Sequence, residues 1–243
     1  MPSRFSIVER QEIVEKGKLC LRTVGGKAGL DYLLSCRKLS LETIDHYNLG
    51  FIPADVNHML RGRIIIPIYD ASNNLVSVSS RRISDQDDGL PVYWHERYDK
   101  SFYLFGVPQA KESMRRTRFC VVTEGQVDVM QMHNHGILNV VGLCSSHLSD
   151  IHLSIIYRYC PHIVLLLDRD ENGSGQKAME SIIEHFKERG ALVGQTNSTG
   201  RQNRLIPVYF PDELGPRSID PDSFLLKYGT DKMREVIRQG ILQ

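Results

Sequence analysis

The second half of the chain alternates unbroken apolar runs with amphipathic stretches. The apolar runs are FCVVTEG, NVVGL, HIVLLLD and RLIPVYF. Runs that are apolar at every position, rather than at every second one, are typical of parallel strands covered on both faces. The stretches with helical spacing between them are QVDVMQMHNHG, LSDIHLSIIYRYC and GQKAMESIIEHFKERG. This order predicts an α/β domain with a parallel central sheet and a short helical C-terminus.

The first half of the chain follows a different pattern. Leu30, Leu33 and Leu34 fall on one face of a predicted helix, and a second short helix is expected to begin after Ser40 as its N-cap. Two β-rich runs follow, RIIIPIYDA and NLVSVSSRRI, and the residues between them have the composition of a hairpin turn. We therefore expect an α+β region with antiparallel strands.

The change of pattern sets the expected domain boundary. The basic stretch KESMRRTR ends at residue 118, so we expect an α+β domain over 1–118 and the α/β domain over 119–243. Arg115, Arg116 and Arg118 are expected in a solvated linker. The polar stretch QTNSTGRQN, residues 195–203, is predicted to be a mobile loop.

Composition and charge limit the class of protein. The 30 Lys and Arg residues balance 29 Asp and Glu residues, which excludes a uniformly basic nucleic-acid-binding coat. The five cysteines include no C-x-x-C pair, so we expect neither a disulfide framework nor a zinc site in this chain. No apolar run approaches the roughly 18 to 20 residues needed to span a bilayer. We expect a soluble cytosolic protein with no membrane contact.

Acidic side chains follow three of the predicted strands. They are Glu124 and Asp128, Asp168 and Asp170, and Asp220 and Asp222. Because the carboxyl ends of parallel strands meet at one edge of a sheet, these acids should converge there. Taken singly, each acid is more simply interpreted as a helix cap or a solvated loop carboxylate. Together they would repel one another unless a divalent cation neutralised them.

A calcium-binding loop is the competing interpretation of one of these segments. Asp168-x-Asp170-x-Asn172-Gly173 has the opening of an EF-hand loop. The twelfth position of such a loop requires a bidentate Glu, and it falls on Met179. A strand pattern also precedes the loop where an EF-hand has a helix. The sequence therefore favours a cation site shared between strand ends over a calcium loop.

In combination, these blocks resemble a known family. TEGQVDV, LLLDRDENG and DPDS resemble the Toprim fold of topoisomerases and bacterial-type primases. Upstream of them, and in this order, lie LDYLLSCRKLSLETIDHYNLGFIP, GRIIIPIYDASNNLVSVSSRRI and DKSFYLFGVPQA. These blocks resemble the RNA-polymerase catalytic core of DnaG-type DNA primases. The resemblance runs from about Leu30 to the end of the chain.

The resemblance implies a DNA primase core that makes short RNA primers on a single-stranded DNA template from ribonucleoside triphosphates. It implies Mg²⁺ or Mn²⁺ as the cation, with Glu124, Asp168 and Asp170 as catalytic and metal-binding acids. Asp222 corresponds to a further metal ligand, with Asp128 and Asp220 as neighbours in the same motifs. The residues that correspond to the family's template and nucleotide contacts are Arg61, Arg63, Arg81, Arg82 and Lys100.

Several points keep alternatives open. Val92 stands where the family usually has a lysine, Arg169 replaces a typical glycine, and Arg81 and Arg82 alone would be interpreted equally well as surface charges. A Toprim nuclease would use the same acids but would leave the arginine-bearing strands unexplained. A non-catalytic module that binds single-stranded DNA or a replication protein would need no metal.

The resemblance also implies partners. Full-length primases of this type carry a zinc-binding domain before the core and a helicase-interacting domain after it, and we expect this chain to have room for neither. A separate zinc-binding primase subunit and a separate replicative helicase are therefore the expected partners. The expected location is the bacterial cytoplasm, and a phage or mobile element that splits its primase would fit this arrangement.

Overall fold

The structure is a computed structural model that describes residues 4–84, 91–188, 192–193, 204–211 and 218–242. The chain divides into two compact units, Met1–Asp99 and Lys100–Gln243. The predicted boundary after residue 118 falls inside the second, C-terminal unit. It does so because helix Val107–Thr117, which the sequence analysis interpreted as ending in a linker, packs against the first two strands of that unit.

The N-terminal unit is an α+β fold, as predicted. Its helices are α1 (Ile7–Leu21), α2 (Lys27–Asp31) and α3 (Leu41–His46), and a 3-10 turn, Val24–Gly26, precedes α2. Its strands are β1 (Gly50–Ile52), β2 (Arg63–Tyr69), β3 (Leu75–Arg82) and β4 (Tyr93–His95). The four strands pair antiparallel in chain order.

Helix α1 covers one face of this sheet. The Ser6 hydroxyl accepts the Glu9 N–H, and the Glu9 carboxylate accepts the Ser6 N–H, which caps the helix. Ile13 and Val14 pack into a core with Ile65 and other buried side chains. The sequence analysis assigned no element here because the apolar side chains of α1 do not share one face: Leu19 is 71% exposed.

The β2–β3 hairpin confirms the predicted turn. Asp70 Oδ1 accepts the N–H groups of Ser72 and Asn74, both at 2.9 Å. The predicted helix cap at Ser40 is also present, and its hydroxyl accepts the Thr43 N–H. The predicted leucine face is wrong at one position: Leu34 is 37% exposed. The chain forms a π-helical turn over Tyr32–Cys36, which rotates that side chain away from the core.

The C-terminal unit is the predicted α/β fold with a parallel sheet. Its strands are β5 (Phe119–Thr123), β6 (Val140–Gly142), β7 (His162–Leu165), β8 (Leu192–Val193) and β9 (Arg204–Pro207). They pair parallel in the order β6-β5-β7-β9-β8. The short strand β8 was not predicted, and the predicted loop over 195–203 lies outside the described residues.

Helices connect these strands and flank the sheet. They are α4 (Val107–Thr117), α5 (Gln126–Asn134), α6 (Asp150–Tyr157), α7 (Ser174–Glu188) and α8 (Pro221–Leu242), with a 3-10 turn over Lys100–Phe102. The C-terminal helix is longer than predicted and kinks at Gly229, whose φ of 81° favours glycine. Within the described part of the chain, no helix combines the length and apolar character that crossing a membrane requires.

Candidate metal centre and nucleotide-binding residues

The first two acids of the site are positioned by neighbouring parallel strands. Val122 of β5 lies opposite Leu165 of β7 in the sheet register. The chain leaves β5 into Glu124 and leaves β7 into Asp168, so the two side chains emerge at the same carboxyl edge. The backbone N–H of Asp168 is close to the Glu124 carboxylate, where it partly offsets the rise in the pKa of Glu124 that burial causes.

A backbone bridge brings the third acidic segment to this edge. The Arg169 N–H donates to Ile219 O at 2.9 Å, and the Ile219 N–H donates to Arg169 O at 2.8 Å. This two-way pairing places Asp220, the residue after Ile219, beside the loop that carries Asp168 and Asp170. The predicted convergence of the three acidic segments is therefore present in the structure.

Asp128 occupies a buried position between two helices. Its Oδ2 accepts the Gly125 N–H at 3.0 Å, and its Oδ1 accepts the Asp222 N–H at 3.1 Å. The first bond caps α5 and the second fixes the start of α8. A Cβ at Gly125 would lie 2.5 Å from Asp128 Oδ2, so only glycine allows this approach. Asp128 thus ties two acidic segments together through backbone groups.

The remaining acids have local hydrogen bonds. The Ser174 hydroxyl donates to Asp170 Oδ2 at the start of α7. Asp220 Oδ1 accepts the Ser223 N–H at 2.6 Å in the first turn of α8. Asp222 itself is buried, with its N–H on Asp128. Each bond fixes a carboxylate at a helix N-terminus, where negative charge is favourable.

Burial and mutual repulsion raise the pKa values of these acids. Burial first, and then the carboxylates of Asp128 and Glu124 among others, raise the pKa of Asp168 to about 8. Burial followed by repulsion from Asp220 raises the pKa of Asp128 to about 7. The pKa of Glu124 is also raised, mainly by burial. The site therefore concentrates more negative charge than its own residues neutralise.

The donor set suits a divalent cation that prefers oxygen ligands. Glu124 Oε1 and Asp168 Oδ1 are buried, and neither has a hydrogen-bond partner in the described part of the chain. Buried carboxylate oxygens without donors are relieved by a hard cation such as Mg²⁺ or Mn²⁺. Among the described residues, no three His, Cys, Asp or Glu side chains already stand in a metal-binding arrangement.

Lys100 reaches the same edge from outside the sheet. Its Nζ donates to Cys144 O at 2.6 Å, and the Cys144 N–H donates to Glu124 O at 2.9 Å. The 3-10 turn that carries Lys100 is held by His152, a buried residue whose Nε2 lies 2.8 Å from Lys100 O. His152 was not among the residues predicted from the sequence. Its signal is the S-x-x-H spacing from the cap residue Ser149.

Gly175 and Arg169 fix the loop after β7, and neither was given a structural role from the sequence. A Cβ on Gly175 would overlap with the Asp168 carbonyl oxygen, so glycine at the start of α7 lets the helix approach the acidic loop. Arg169 Nη1 donates to Phe210 O at 3.1 Å, beyond the end of β9. The unusual arginine between the two aspartates therefore holds this loop against the neighbouring strand.

The predicted arginines lie in the N-terminal unit, at one end of the β2–β3 hairpin. Arg63 is 5% exposed and donates from Nη2 to Pro91 O at 2.7 Å and from Nη1 to Val92 O at 3.2 Å. Arg82 is its cross-strand neighbour. Two of the five N–H donors of Arg63 are thus used to hold the segment that enters β4.

The other two arginines differ in exposure, since Arg81 is half-buried and Arg61 is exposed. Arg81 donates from Nε to the Tyr32 hydroxyl at 2.6 Å and stacks 4.6 Å from the Tyr93 ring centroid. Arg61 lies in the loop before β2 and is exposed. Tyr93 thus packs against an arginine, whereas Trp94 packs against Phe5 and the buried core of this unit.

The linker interpretation of the basic stretch is wrong for two of its three arginines. Arg115 and Arg116 lie in the last turn of α4, where cations favour the helix C-terminus, and Arg118 is its C-cap with φ 66°. Arg115 pairs with Glu112 and stacks on the Tyr159 ring. The segment folds because the opposite face of α4 buries Ala110 and Met114.

Comparison with known proteins is consistent with this arrangement. A family model described as Toprim-like matches residues 121–200. The DNA primase of Aquifex aeolicus (strain VF5) is 28% identical over 182 residues, which cover 73% of this chain and 32% of that protein. Across the first curated relatives, all named DNA primase, the chain spans between 32% and 40% of their lengths.

Solved structures match nearly the whole chain. The Aquifex aeolicus primase, with its zinc-binding and RNA polymerase domains, superposes with a TM-score of 0.73 at 20% identity, covering 97% of this chain and 62% of that one. A DnaG primase catalytic domain bound to single-stranded DNA gives 0.80 at 18% identity, covering 97% and 81%. The resemblance to the DnaG catalytic core is confirmed at the level of the fold.

Proposed function

We propose that this chain, which has the fold of the DnaG primase catalytic core and contains a Toprim-like region, makes short RNA primers on single-stranded DNA. The observation that carries the proposal is the convergence of Glu124, Asp168 and the segment of Asp220 at one sheet edge. Burial and repulsion between carboxylates raise the pKa values of Glu124 and Asp168. A divalent cation would relieve that repulsion, and phosphoryl transfer uses such a cation.

Glu124, Asp168 and Asp170 are the proposed catalytic ligands for Mg²⁺ or Mn²⁺, with Asp220 and Asp222 close by. These acids would hold the cation, which would supply positive charge for the incoming triphosphate and for activation of the primer 3′-hydroxyl. Asp128 has a different role in this proposal, because backbone N–H groups occupy both of its oxygens. It orients the other acids. No side-chain nucleophile is needed, because the primer 3′-hydroxyl is the nucleophile.

Basic residues are proposed to bind phosphates. Lys100 is well placed because its ammonium lies beside the Glu124 segment in the same unit. Arg61, Arg81 and Arg82 are the proposed template and nucleotide contacts of the N-terminal unit. Arg63 belongs to the same set by resemblance, and its bonds to Pro91 and Val92 favour a role in shaping that surface.

The proposed partners follow from the relatives. A DnaG catalytic domain with this fold has been solved with single-stranded DNA, which supports that ligand as the template. The Aquifex aeolicus structure joins a zinc-binding domain to an RNA polymerase domain. We propose that zinc binding and helicase contact are supplied by polypeptide outside these residues. The primases that this chain matches are longer than the part it covers.

The test is incorporation of labelled ribonucleotides on single-stranded DNA with Mg²⁺ or Mn²⁺, with a zinc-binding primase subunit added. We expect template-dependent products that the Asp168→Ala/Asp170→Ala double variant does not make. The matched control is Glu171→Ala, which removes an exposed acid from the same loop. Equal inactivity of the wild type and the double variant on all templates and with both metals would reject the proposal.

A second candidate is a non-catalytic module that binds single-stranded DNA. It is favoured by Val92, which stands where the resemblance leads us to expect a phosphate-binding lysine. Salt-dependent DNA binding that is indifferent to loss of Glu124 and Asp168 would select it. Metal-dependent cleavage of DNA or RNA without nucleotides would instead indicate a Toprim nuclease.

A further inference from the structure

A groove of about 370 Å³ lies in the C-terminal unit between α4 and the end of α8. It borders Phe119, the first residue of β5, and Asn139, which precedes β6. The groove is therefore at the amino edge of the parallel sheet, whereas the acids are at the carboxyl edge. With five residues in β5 and roughly 3.3 Å per residue, the two edges are about 15 Å apart.

The floor of the groove is aliphatic. It is formed by Ile137, Leu138, Ile237, Ile241 and Leu242. Ile137 and Ile237 are buried beneath it, but Leu138 is 42% exposed and Leu242 is 78% exposed. Exposed leucines over a buried apolar layer give a surface that gains free energy when a partner covers it.

The rim of the groove is positively charged. Arg116, Arg234 and Arg238 line it, and its described lining contains no acidic residue. Arg234 reaches Gly136 O at 3.4 Å and Arg116 reaches the Ser113 hydroxyl at 3.5 Å, which are long contacts to neutral groups. The Glu235 carboxylate, whose pKa is lowered chiefly by Lys232 and to a smaller extent by Arg238, is bonded by Lys232 at 2.8 Å. The arginines thus keep charge available for an anionic partner.

We propose that this groove is a docking surface for an acidic amphipathic helix of a partner protein. Apolar side chains on one face of such a helix would cover Leu138 and Leu242, and flanking carboxylates would meet the rim arginines. Arginine around an apolar centre is also the composition of protein interfaces. The inference does not depend on the metal site, because the two features are at opposite edges of the sheet.

Two other occupants fit the groove less well. Single-stranded nucleic acid uses flat aromatic side chains on which bases stack, and Phe119 is the one aromatic residue in the described lining. A second copy of this chain, paired through the same surface by a two-fold axis, would set its arginines against identical arginines. Such like-charge contacts oppose association.

The test uses the full chain and a fluorescein-labelled synthetic peptide of about 20 residues, long enough to form a helix. The peptide carries Leu at helical spacing on one face and Glu on the flanking positions, and comparison peptides have Lys in place of Glu or the same residues scrambled. Fluorescence anisotropy measures binding. We expect the acidic peptide to bind at least roughly tenfold more tightly than either comparison peptide.

Variants locate the binding surface. Arg116→Glu/Arg234→Glu/Arg238→Glu and, separately, Leu138→Glu should each weaken binding of the acidic peptide at least roughly tenfold. Arg158→Glu, a reversal at an exposed arginine outside the groove, should leave binding unchanged. Melting curves from circular dichroism within a few degrees of the wild type show that each variant is folded, and wild-type primer synthesis by the triple variant would place the groove outside the reaction.

Three outcomes would overturn the proposal. In the first, the acidic peptide binds no more tightly than the scrambled one, or the triple variant binds it as well as Arg158→Glu does. In the second, sedimentation shows a dimer that Leu138→Glu dissociates while the peptide does not compete. In the third, an oligo-dT strand, and not the peptide, loses affinity in the triple variant.

Discussion

At the carboxyl edge of the parallel sheet, Glu124 and Asp168 each keep a buried oxygen that no described donor satisfies, whereas in the antiparallel sheet Arg63 donates to two carbonyls. The acids repel one another and their pKa values rise. The arginine instead contributes to the stability of its own unit. Groups that are held at a cost in stability are typical of functional sites, so the acids are the stronger functional candidates.

Neutralising Glu124 gives the largest expected effect. Glu124→Gln keeps the size of the side chain but removes a charge from the cation site, and we expect primer synthesis to fall by roughly a thousandfold. Because burial already disfavours the Glu124 carboxylate, the melting temperature of the metal-free protein should not fall. Ribonucleotide incorporation and calorimetry on the same samples measure both effects.

Glu171→Gln is the control, since Glu171 is exposed in the loop after β7. It should leave synthesis and melting temperature unchanged. If Glu124→Gln instead lowered the melting temperature and left synthesis intact, Glu124 would be a structural residue and the contrast with Arg63 would disappear.

Asp128 tests whether all acids at this edge behave alike. Asp128→Ala leaves the buried N–H groups of Gly125 and Asp222 without acceptors. Loss of these two hydrogen bonds lowers the free energy of unfolding, and removal of a buried charge offsets part of that loss. We expect a net decrease of about 3 kcal/mol. Asp220→Ala removes a cap to the Ser223 N–H, and there we expect about 1 kcal/mol.

Urea denaturation of the metal-free variants distinguishes the two aspartates. An Asp128→Ala variant as stable as the wild type, with loss of Mn²⁺ binding as its main defect, would make Asp128 a cation ligand rather than a tie between α5 and α8.

The acidic residues at this edge show what could be predicted from the sequence. Glu124 and Asp168 were found because unbroken apolar runs imply parallel strands, and parallel strands bring their carboxyl ends together. The hydrogen bond from the Asp222 N–H to the Asp128 carboxylate joins residues 94 positions apart. It depends on where α8 begins relative to α5, which no local pattern specifies. The acids were therefore predictable as a set, but their separate roles were not.

The N-terminal unit shows the same limit. The hairpin was predicted because its turn residues act locally, as the Asp70 bonds confirm. Helix α1 was missed because tertiary packing of Ile13 and Val14, rather than a clean amphipathic stripe, stabilises it. Arg63 carries no local sign that its guanidinium would meet carbonyls 28 and 29 residues away.

Arg63 gives the next test of the comparison. Arg63→Ala removes the guanidinium donors to the Pro91 and Val92 carbonyls, although Val92 O still accepts the Arg82 N–H at 2.9 Å. The free energy of unfolding should fall by about 2 kcal/mol. Arg61→Ala, at an exposed position, should change it by less than about 0.5 kcal/mol. Thermal melts give the stabilities, and nucleotide binding by isothermal titration gives the second readout. Unchanged stability with tenfold weaker nucleotide binding in Arg63→Ala would show that phosphate contact, and not the carbonyl bonds, defines its role.

The last expected effect is the pH dependence of stability in the metal-free protein. The pKa of Asp168 rises from its ordinary value of 3.8 to about 8 on folding, so the folded state binds the proton more tightly than the unfolded state. The contribution to stability is then fully present below pH 4 and is lost as pH rises through 8. Asp168→Asn removes this titration.

Between pH 5 and pH 8, we therefore expect the melting temperature of the wild type to fall by roughly 5 °C more than that of Asp168→Asn. Asp128 and Glu124, whose pKa values are also raised, act in the same direction as Asp168. His58 and His162, whose pKa values burial lowers, act in the opposite direction. All four residues are present in both proteins, so the difference reports Asp168 together with its repulsion of the neighbouring carboxylates. Added Mg²⁺ at pH 8 should raise the melting temperature of the wild type and not that of the variant, because a cation replaces the proton between the carboxylates. Parallel pH profiles for the two proteins would contradict the raised pKa of Asp168. They would also remove the contrast between the acids at the carboxyl edge of the sheet and the arginines of the N-terminal unit.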